Sequence, residues 1–196
     1  MPGLYPVFLK LGQRKVVVVG GGRVALNKVR PLLLAGADVT VVAPRVSAEL
    51  ARAPVTLVRS SFRAQHLSGA WFVVAAATRE VNRRVRAAAE KRRLFVNVVD
   101  EAEEATAYSG GVVRRGQVTV AISTAGQTPA LAALLREAFE GLLPDEVAEW
   151  AELGRRARLR WRATRVPLSD RRPLLWQALD RLYRAPRRSH ANEVRP

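Results

Sequence analysis

The chain contains no cysteine. That excludes disulfides, thiolate catalysis and cysteine-based metal sites. Histidine is nearly absent: with only His66 and His190, a zinc site built from several imidazoles is not expected. Lysine is scarce, so nearly all of the positive charge is arginine. Acidic residues number 17 against 33 basic ones, a net charge of +16. No run of about 20 apolar residues exists, so no helix is expected to span a membrane. The first residues, MPGLYPVFLKLGQRK, lack the basic stretch, apolar core and cleavage site of a secretory signal. A soluble, cytoplasmic protein is the expectation.

What is present begins with VVVVGGGRVALNKVRPLLLAGADVTVVAP, residues 16–44. An apolar run, Val16 to Val19, meets Gly20, Gly21 and Gly22. A helical pattern follows through Val24, Leu26, Val29, Leu32 and Leu33, and Gly36 ends it. A second β-branched run, Val39 to Val42, comes next. Strand, tight turn, helix and strand in this order give context to a GxGxxA fingerprint at Gly20, Gly22 and Ala25. Gly20 permits the sharp turn, Gly22 leaves the backbone open to a pyrophosphate, and Ala25 lets helix and strand pack closely. The helix N-terminus offers unpaired N–H groups and a positive dipole end. Dinucleotide binding is the expected function of this stretch. The acidic residue that holds the ribose hydroxyls should follow the second strand, yet Val42, Ala43, Pro44 and Arg45 stand there. Arg45 suits a 2′-phosphate or a solvated loop, so the motif alone leaves NAD and NADP both open.

The 196 residues, 48% of them hydrophobic, suffice for such a domain plus a smaller appendage. Residues 4–9, LYPVFL, read as an extended segment packing at a sheet edge. Ser47 is placed to cap a short helix over 48–52, and 55–58 is a third strand. His66 lies in an irregular link and reads as a surface histidine. WFVVAA, residues 71–76, is unbroken apolar, as expected of a parallel strand buried on both faces. Ala77 and Thr78 follow at its carboxyl end, where open α/β sheets bind their ligands; Thr78 also suits the cap of the next helix, 80–91, whose Arg83, Arg84 and Arg86 read as outward. Residues 94–99 form a fifth strand ending at Asp100. After the acidic stretch 101–104, residues 112–113 and 118–122 read as an antiparallel hairpin. STAGQTP, residues 123–129, is a polar loop with Thr128 placed as a cap and Pro129 at the first helical position. Helices follow over 130–143 and beyond Pro144, with Ser169 as another cap. Residues 185–196 are expected to be disordered.

Several pieces occur together in one order: LYPVFLKLGQRKVVVVGGGRVALNKVRPLLLAGADVTVVAP, VVAAAT, FVNVVD and VAISTAGQTPALAALLRE. In this combination the sequence resembles the precorrin-2 dehydrogenase/sirohydrochlorin ferrochelatase family, which also forms the N-terminal part of siroheme synthases. The resemblance covers roughly residues 4–145. It implies an α/β fold: a Rossmann NAD domain with a parallel sheet (1–109), a dimerisation segment (110–145) and a helical domain with a disordered tail (146–196). It implies NAD-dependent oxidation of precorrin-2 to sirohydrochlorin, in some members followed by ferrous iron insertion, by a homodimer. The present chain, ending at Pro196, is not expected to carry the methyltransferase of full siroheme synthases. By position, Asp100 matches the family's active-site aspartate, implied to take a proton during hydride transfer and to assist metal insertion where that occurs; otherwise no metal ligand is fixed. Gly20, Gly22, Arg23, Val24, Ala25, Pro44, Arg45, Ala77 and Thr78 fall on cofactor-contacting positions, and Ser123 and Thr124 begin a substrate-facing loop. One departure stands out. Where the family has a Ser-Phe-x-x-Pro stretch, this chain has Thr106, Ala107, Tyr108, Ser109 and Gly110.

The charge acquires a use under this reading, since the implied tetrapyrrole substrate carries eight carboxylates. Residues 151–196 hold thirteen arginines against four acids, a net of +9, and the first 150 residues carry +7. Part of the helical segment's arginines, Arg155 and Arg156 among them, is expected to face this anion. Two other classes compete. An NAD(H)-sensing regulator with a basic nucleic-acid-binding tail needs a winged or helix-turn-helix module, and none is convincing, so nucleic acid is not an expected partner. An NADP-dependent oxidoreductase of other specificity rests only on Arg45.

Overall fold

A computed structural model describes residues 3–184; the expected disorder of 185–196 lies outside the described residues. Five parallel strands form the main sheet: β1 (Lys15–Val19), β2 (Asp38–Val42), β3 (Thr56–Val58), β4 (Phe72–Ala75) and β5 (Phe95–Val98), in the order β3-β2-β1-β4-β5. Val16 pairs with Val39 on one side and Phe72 on the other, and Val19 pairs with Val42 and Ala75. The order reverses direction between β1 and β4, which opens a crevice at their carboxyl ends.

Near-continuous apolar strands arise because both faces are covered. Val16, Val18, Val39, Val41 and Val74 pack with Ala25, Leu26 and Val29 of helix α1 (Arg23–Leu34) and with Leu50 of the short helix α2 (Ala48–Ala51). Val17, Val19, Val73, Ala75, Val96 and Val98 pack instead with Val85, Ala88 and Ala89 of helix α3 (Arg79–Glu90). Ser47 caps α2 as expected, its hydroxyl accepting the Leu50 N–H.

Within the described residues the chain forms two compact units. The first runs to Gly110 and resumes over Ser123–Ala132; the second comprises Gly111–Ile122 and continues from Ala133. In the second, β6 (Gly111–Arg115) and β7 (Val118–Ile122) form the expected antiparallel hairpin. Helix α4 (Pro129–Leu142) begins in the first unit, and α5 (Val147–Ala163) and α6 (Leu168–Arg184) follow. The hairpin's Gly116 sits tightly on Ala148 of α5, and Gly154 of α5 lies against Leu175 of α6.

Two expectations need correction. LYPVFL does not pack at a sheet edge: Leu4, Tyr5, Val7, Phe8 and Leu9 are exposed, and the free edge of β5 is instead closed by Thr106 and Ala107, whose N–H groups donate to the Val96 carbonyl. Helix α6 starts one residue before Ser169, whose hydroxyl donates to Asp170 rather than capping. Arg83, Arg84 and Arg86 face outward as read, Arg83 and Arg84 exposed, and two of the three are also engaged. Arg84 donates to the Phe62 carbonyl, and Arg86 pairs with Glu90 and Glu104.

Candidate active site

The three consecutive glycines do three different jobs. Gly20 has φ +133°, and a Cβ there would stand 2.1 Å from the Ala76 carbonyl oxygen, so β1 and β4 end back to back. At Gly21 a Cβ would stand 1.9 Å from the Arg45 carbonyl oxygen, and the Gly21 carbonyl accepts the Ser47 N–H at 2.8 Å. The turn after β1 is thus locked onto the loop after β2. Gly22 has nothing within 4 Å of where a Cβ would be. It is the N-cap of the twelve-residue helix α1, in extended geometry, and neither a side-chain cap nor an acid occupies the first turn. Open N–H groups, a bare approach and the positive helix end fit a pyrophosphate. Arg23, Val24, Pro44 and Arg45 are exposed around this opening, and Ala25 is fully buried on the sheet side of α1, as its role in close packing requires.

The turn after β4 is built by a residue the sequence pattern did not single out. Asn82, buried on α3, accepts the Ala77 N–H through Oδ1 at 3.0 Å. That N–H is thereby engaged, so Ala77 can offer a ligand its methyl group and carbonyl only. Thr78 occupies the N-cap position of α3 but its hydroxyl makes no capping bond, which leaves the exposed hydroxyl available.

Asp100 lies two residues past β5, exposed, in a left-handed conformation with φ +61°. Non-glycine residues adopt this region rarely, Asp and Asn most readily, and such positions need surrounding contacts to hold them. Three contacts are present. The Val99 N–H donates to the Ala75 carbonyl at 2.9 Å. Glu101, the next residue, pairs with Arg79 at 3.2 Å on the first turn of α3, beside Thr78. Lys28 of α1 reaches over from the glycine-turn helix and donates to Ser109 Oγ at 2.6 Å. Burial pushes the Lys28 ammonium below its ordinary value, while the Asp100 carboxylate pulls it back up. The carboxylate therefore lies within electrostatic reach of Lys28, on the helix that begins at Gly22.

The segment that departs from the family pattern is closed by its own polar groups. Thr106 Oγ1 accepts the Val96 N–H, Tyr108 donates to the Ala102 carbonyl, and buried Asn97 donates to the Ala107 carbonyl at 2.9 Å. The loop 123–128 seats against it: a Cβ on Gly126 (φ +75°) would meet Ala102 Cβ at 2.5 Å and the Tyr108 ring at 3.3 Å. Within that loop Thr124 Oγ1 donates to the Thr128 carbonyl and accepts the Thr128 N–H, and Ser123 Oγ accepts the Ala125 N–H. Thr124 thus shapes the loop, with its proton already committed, while the Ser123 hydroxyl keeps its own.

Other expected residues lie elsewhere. His66 Nδ1 accepts the Arg63 N–H in its own short turn, and burial together with the nearby Arg63 and Lys15 charges holds the imidazole below its ordinary value. Arg155 and Arg156 belong to the second unit, and both bind Glu152 at 2.7 and 2.8 Å. Among the described residues no group of three or more His, Cys, Asp or Glu could hold a metal ion, and no helix is long and apolar enough to cross a membrane.

A glycine turn opening onto a helix end at the switch point of a doubly wound sheet defines a dinucleotide-binding Rossmann protein. Residues 7–111 match the model of the family described as "Putative NAD(P)-binding", and the chain belongs to that family. Over 188 residues it is 40% identical to Siroheme synthase 3 of Aeromonas hydrophila, covering 92% of this chain and 40% of that protein. It is 37% identical over 180 residues to the siroheme synthase of Photobacterium profundum, covering 89% of this chain and 38% of that protein. The chain thus spans about two fifths of the length of these curated relatives. A solved structure titled "SirC, precorrin-2 dehydrogenase" matches with a TM-score of 0.70 and 27% identity, covering 93% of each chain. The resemblance drawn from the sequence motifs is borne out.

Proposed function

We propose that this protein is a precorrin-2 dehydrogenase that oxidises precorrin-2 to sirohydrochlorin with NAD, a step of siroheme formation. The observation that carries the reading is the placement of Asp100, a carboxylate on a left-handed backbone, tied through Glu101 to the first turn of α3 and within electrostatic reach of Lys28 on the helix of the glycine turn. The similarity to siroheme synthases and to a structure titled precorrin-2 dehydrogenase supports it.

Gly22, the N–H groups of α1, Arg23 and Arg45 would hold the cofactor's phosphates and ribose, and Thr78 would approach it from β4. Bound NAD supplies the hydride acceptor. The substrate loses a hydride and a proton, and Asp100 takes the proton, acting as general base. Ser123 offers its hydroxyl to a substrate carboxylate. Exposed arginines raise the local concentration of a many-acid macrocycle. The same carboxylate would receive pyrrole protons if ferrous iron is then inserted.

A homodimer belongs to this proposal. The exposed Leu4, Tyr5, Val7, Phe8 and Leu9 in the first unit, and the exposed Leu134 and Leu142 on α4 with a two-stranded hairpin beside them, are surfaces that a second copy would cover. A cytoplasmic location, where an NAD pool is at hand, completes it. The test is an anaerobic assay with precorrin-2 and NAD, following the sirohydrochlorin spectrum; folded protein without turnover would overturn the reading. Sirohydrochlorin with ferrous ion measures chelation separately, and light scattering measures the dimer.

A further inference from the structure

We propose that Lys28 is a positioning residue for the reaction: its ammonium fastens the loop that closes behind Asp100 and sets a positive charge beside that carboxylate. The inference rests on the reading of Asp100 as the base.

Four observations converge. First, β5 alternates its faces, with Val96 and Val98 packed toward α3. Asn97 therefore points to the α1 side, one of two buried polar residues among those described. Second, an unbroken polar chain crosses that side. Lys28 Nζ donates to Ser109 Oγ at 2.6 Å, Ser109 Oγ donates to Asn97 Oδ1 at 3.3 Å, and Asn97 Nδ2 donates to the Ala107 carbonyl at 2.9 Å. The loop leaving Asp100 is held at its far end by Lys28 and at its near end by the Glu101–Arg79 pair. Third, Asp100 sits at φ +61°, a conformation that persists only while neighbouring contacts fix it. Fourth, the residue type is telling. Of 33 basic residues only four are lysine, Lys10, Lys15, Lys28 and Lys91. A half-buried gap beside a hydroxyl suits a compact ammonium, whereas a guanidinium is a wide planar fork. Asp100 is the charged group that acts on Lys28; Ser109 and Asn97 face it uncharged.

The test compares wild type, Lys28→Met and Lys28→Arg for Tm, for NAD affinity and for kcat of precorrin-2 oxidation across pH. Lys28→Met is expected to lower kcat ~10–100-fold with NAD affinity unchanged. In wild type kcat should fall on the alkaline side as the ammonium loses its proton below the ordinary lysine value. Lys28→Arg, whose charge persists but whose wider fork fits the gap less well, should recover only part of the loss and carry that limb to higher pH. Lys28→Met with wild-type kcat, a loss that merely tracks NAD affinity, or a Lys28→Arg profile with the wild-type alkaline limb each overturns the inference. If Lys28→Met does not fold, the Lys28→Arg profile decides alone. Absence of turnover in wild type overturns the proposed function and this inference with it; turnover in wild type that Lys28→Met shares overturns only the latter.

Discussion

Replacing each of the three consecutive glycines by alanine should give three distinguishable outcomes. Gly20→Ala combines two costs. An L residue at φ +133° is strained by ~1–3 kcal/mol, and its methyl would stand 2.1 Å from the Ala76 carbonyl oxygen, adding an overpacking cost of ~1–3 kcal/mol. The total is ~2–6 kcal/mol. At ~2–4 °C per kcal/mol for a chain of this size, Tm should fall by at least ~4 °C. Gly21→Ala meets the Arg45 carbonyl oxygen at 1.9 Å. Backbone must move there, so both Tm and cofactor affinity should suffer. Gly22→Ala meets nothing within 4 Å and keeps a relaxed extended geometry, so Tm should stay within ~2 °C. Its methyl, however, stands where the pyrophosphate must approach. Losing one charge-assisted bond to a backbone N–H group, ~1.5–3 kcal/mol, raises the Kd for NAD ~10–150-fold. Differential scanning fluorimetry with and without NAD, plus calorimetric titration, reads all three. Gly22→Ala that binds NAD like wild type refutes the assignment of the open glycine to the phosphates, and Gly20→Ala with unchanged Tm refutes the packing argument.

Other perturbations follow from the same geometry. Asp100→Ala should lower kcat by ~10²–10⁴-fold while NAD titration stays as in wild type; loss of NAD binding would make Asp100 structural. Asn97→Val removes the donor to the Ala107 carbonyl and the acceptor of Ser109, costing ~1–3 kcal/mol, visible as a lower midpoint in urea unfolding. Arg155 and Arg156 hold the Glu152 carboxyl down at about 2, against an ordinary 4.5. A depressed folded-state carboxyl stabilises helix α5 above the ordinary value and loses that contribution as pH falls from 4.5 toward 2. Far-UV circular dichroism should therefore report helix loss over that window, and Glu152→Gln should flatten it; an unchanged acid profile in the variant would rule the pair out.

The sheet was legible because its cause is local and periodic. Val16–Val19 and Phe72–Ala75 are apolar on both faces for want of a solvated one, and Gly20, Gly22 and Ala25 stand at fixed offsets. The helices announced themselves through spacing, but their ends did not, and Ser169 lost its capping place to a start one residue earlier. The fate of LYPVFL could not be read from its apolarity, which says only that it needs cover, not where. In the site, Asp100 was legible as a carboxylate at a strand end. Its left-handed turn and the tether of the neighbouring Glu101 to Arg79 were not, since both depend on contacts between elements distant in sequence. Gly21 hid between two fingerprint glycines, its role set by Arg45, which lies 24 residues on. Asn82 passed as an ordinary helical residue. Asn97 could have been found: a lone amide inside FVNVV has to satisfy its hydrogen bonds somewhere.

The return of residues 123–132 to the first unit, after the hairpin excursion, has a bearing on how this chain is made and can be edited. During synthesis all five parallel strands leave the ribosome before the piece whose Gly126 rests on Ala102 and Tyr108. A nascent chain stopped at Gly110 would own a complete sheet and an open-sided cleft. Anyone transplanting this module into a fusion would have to carry the detour with it, because an uninterrupted segment that leaves out the hairpin cannot enclose all of its walls.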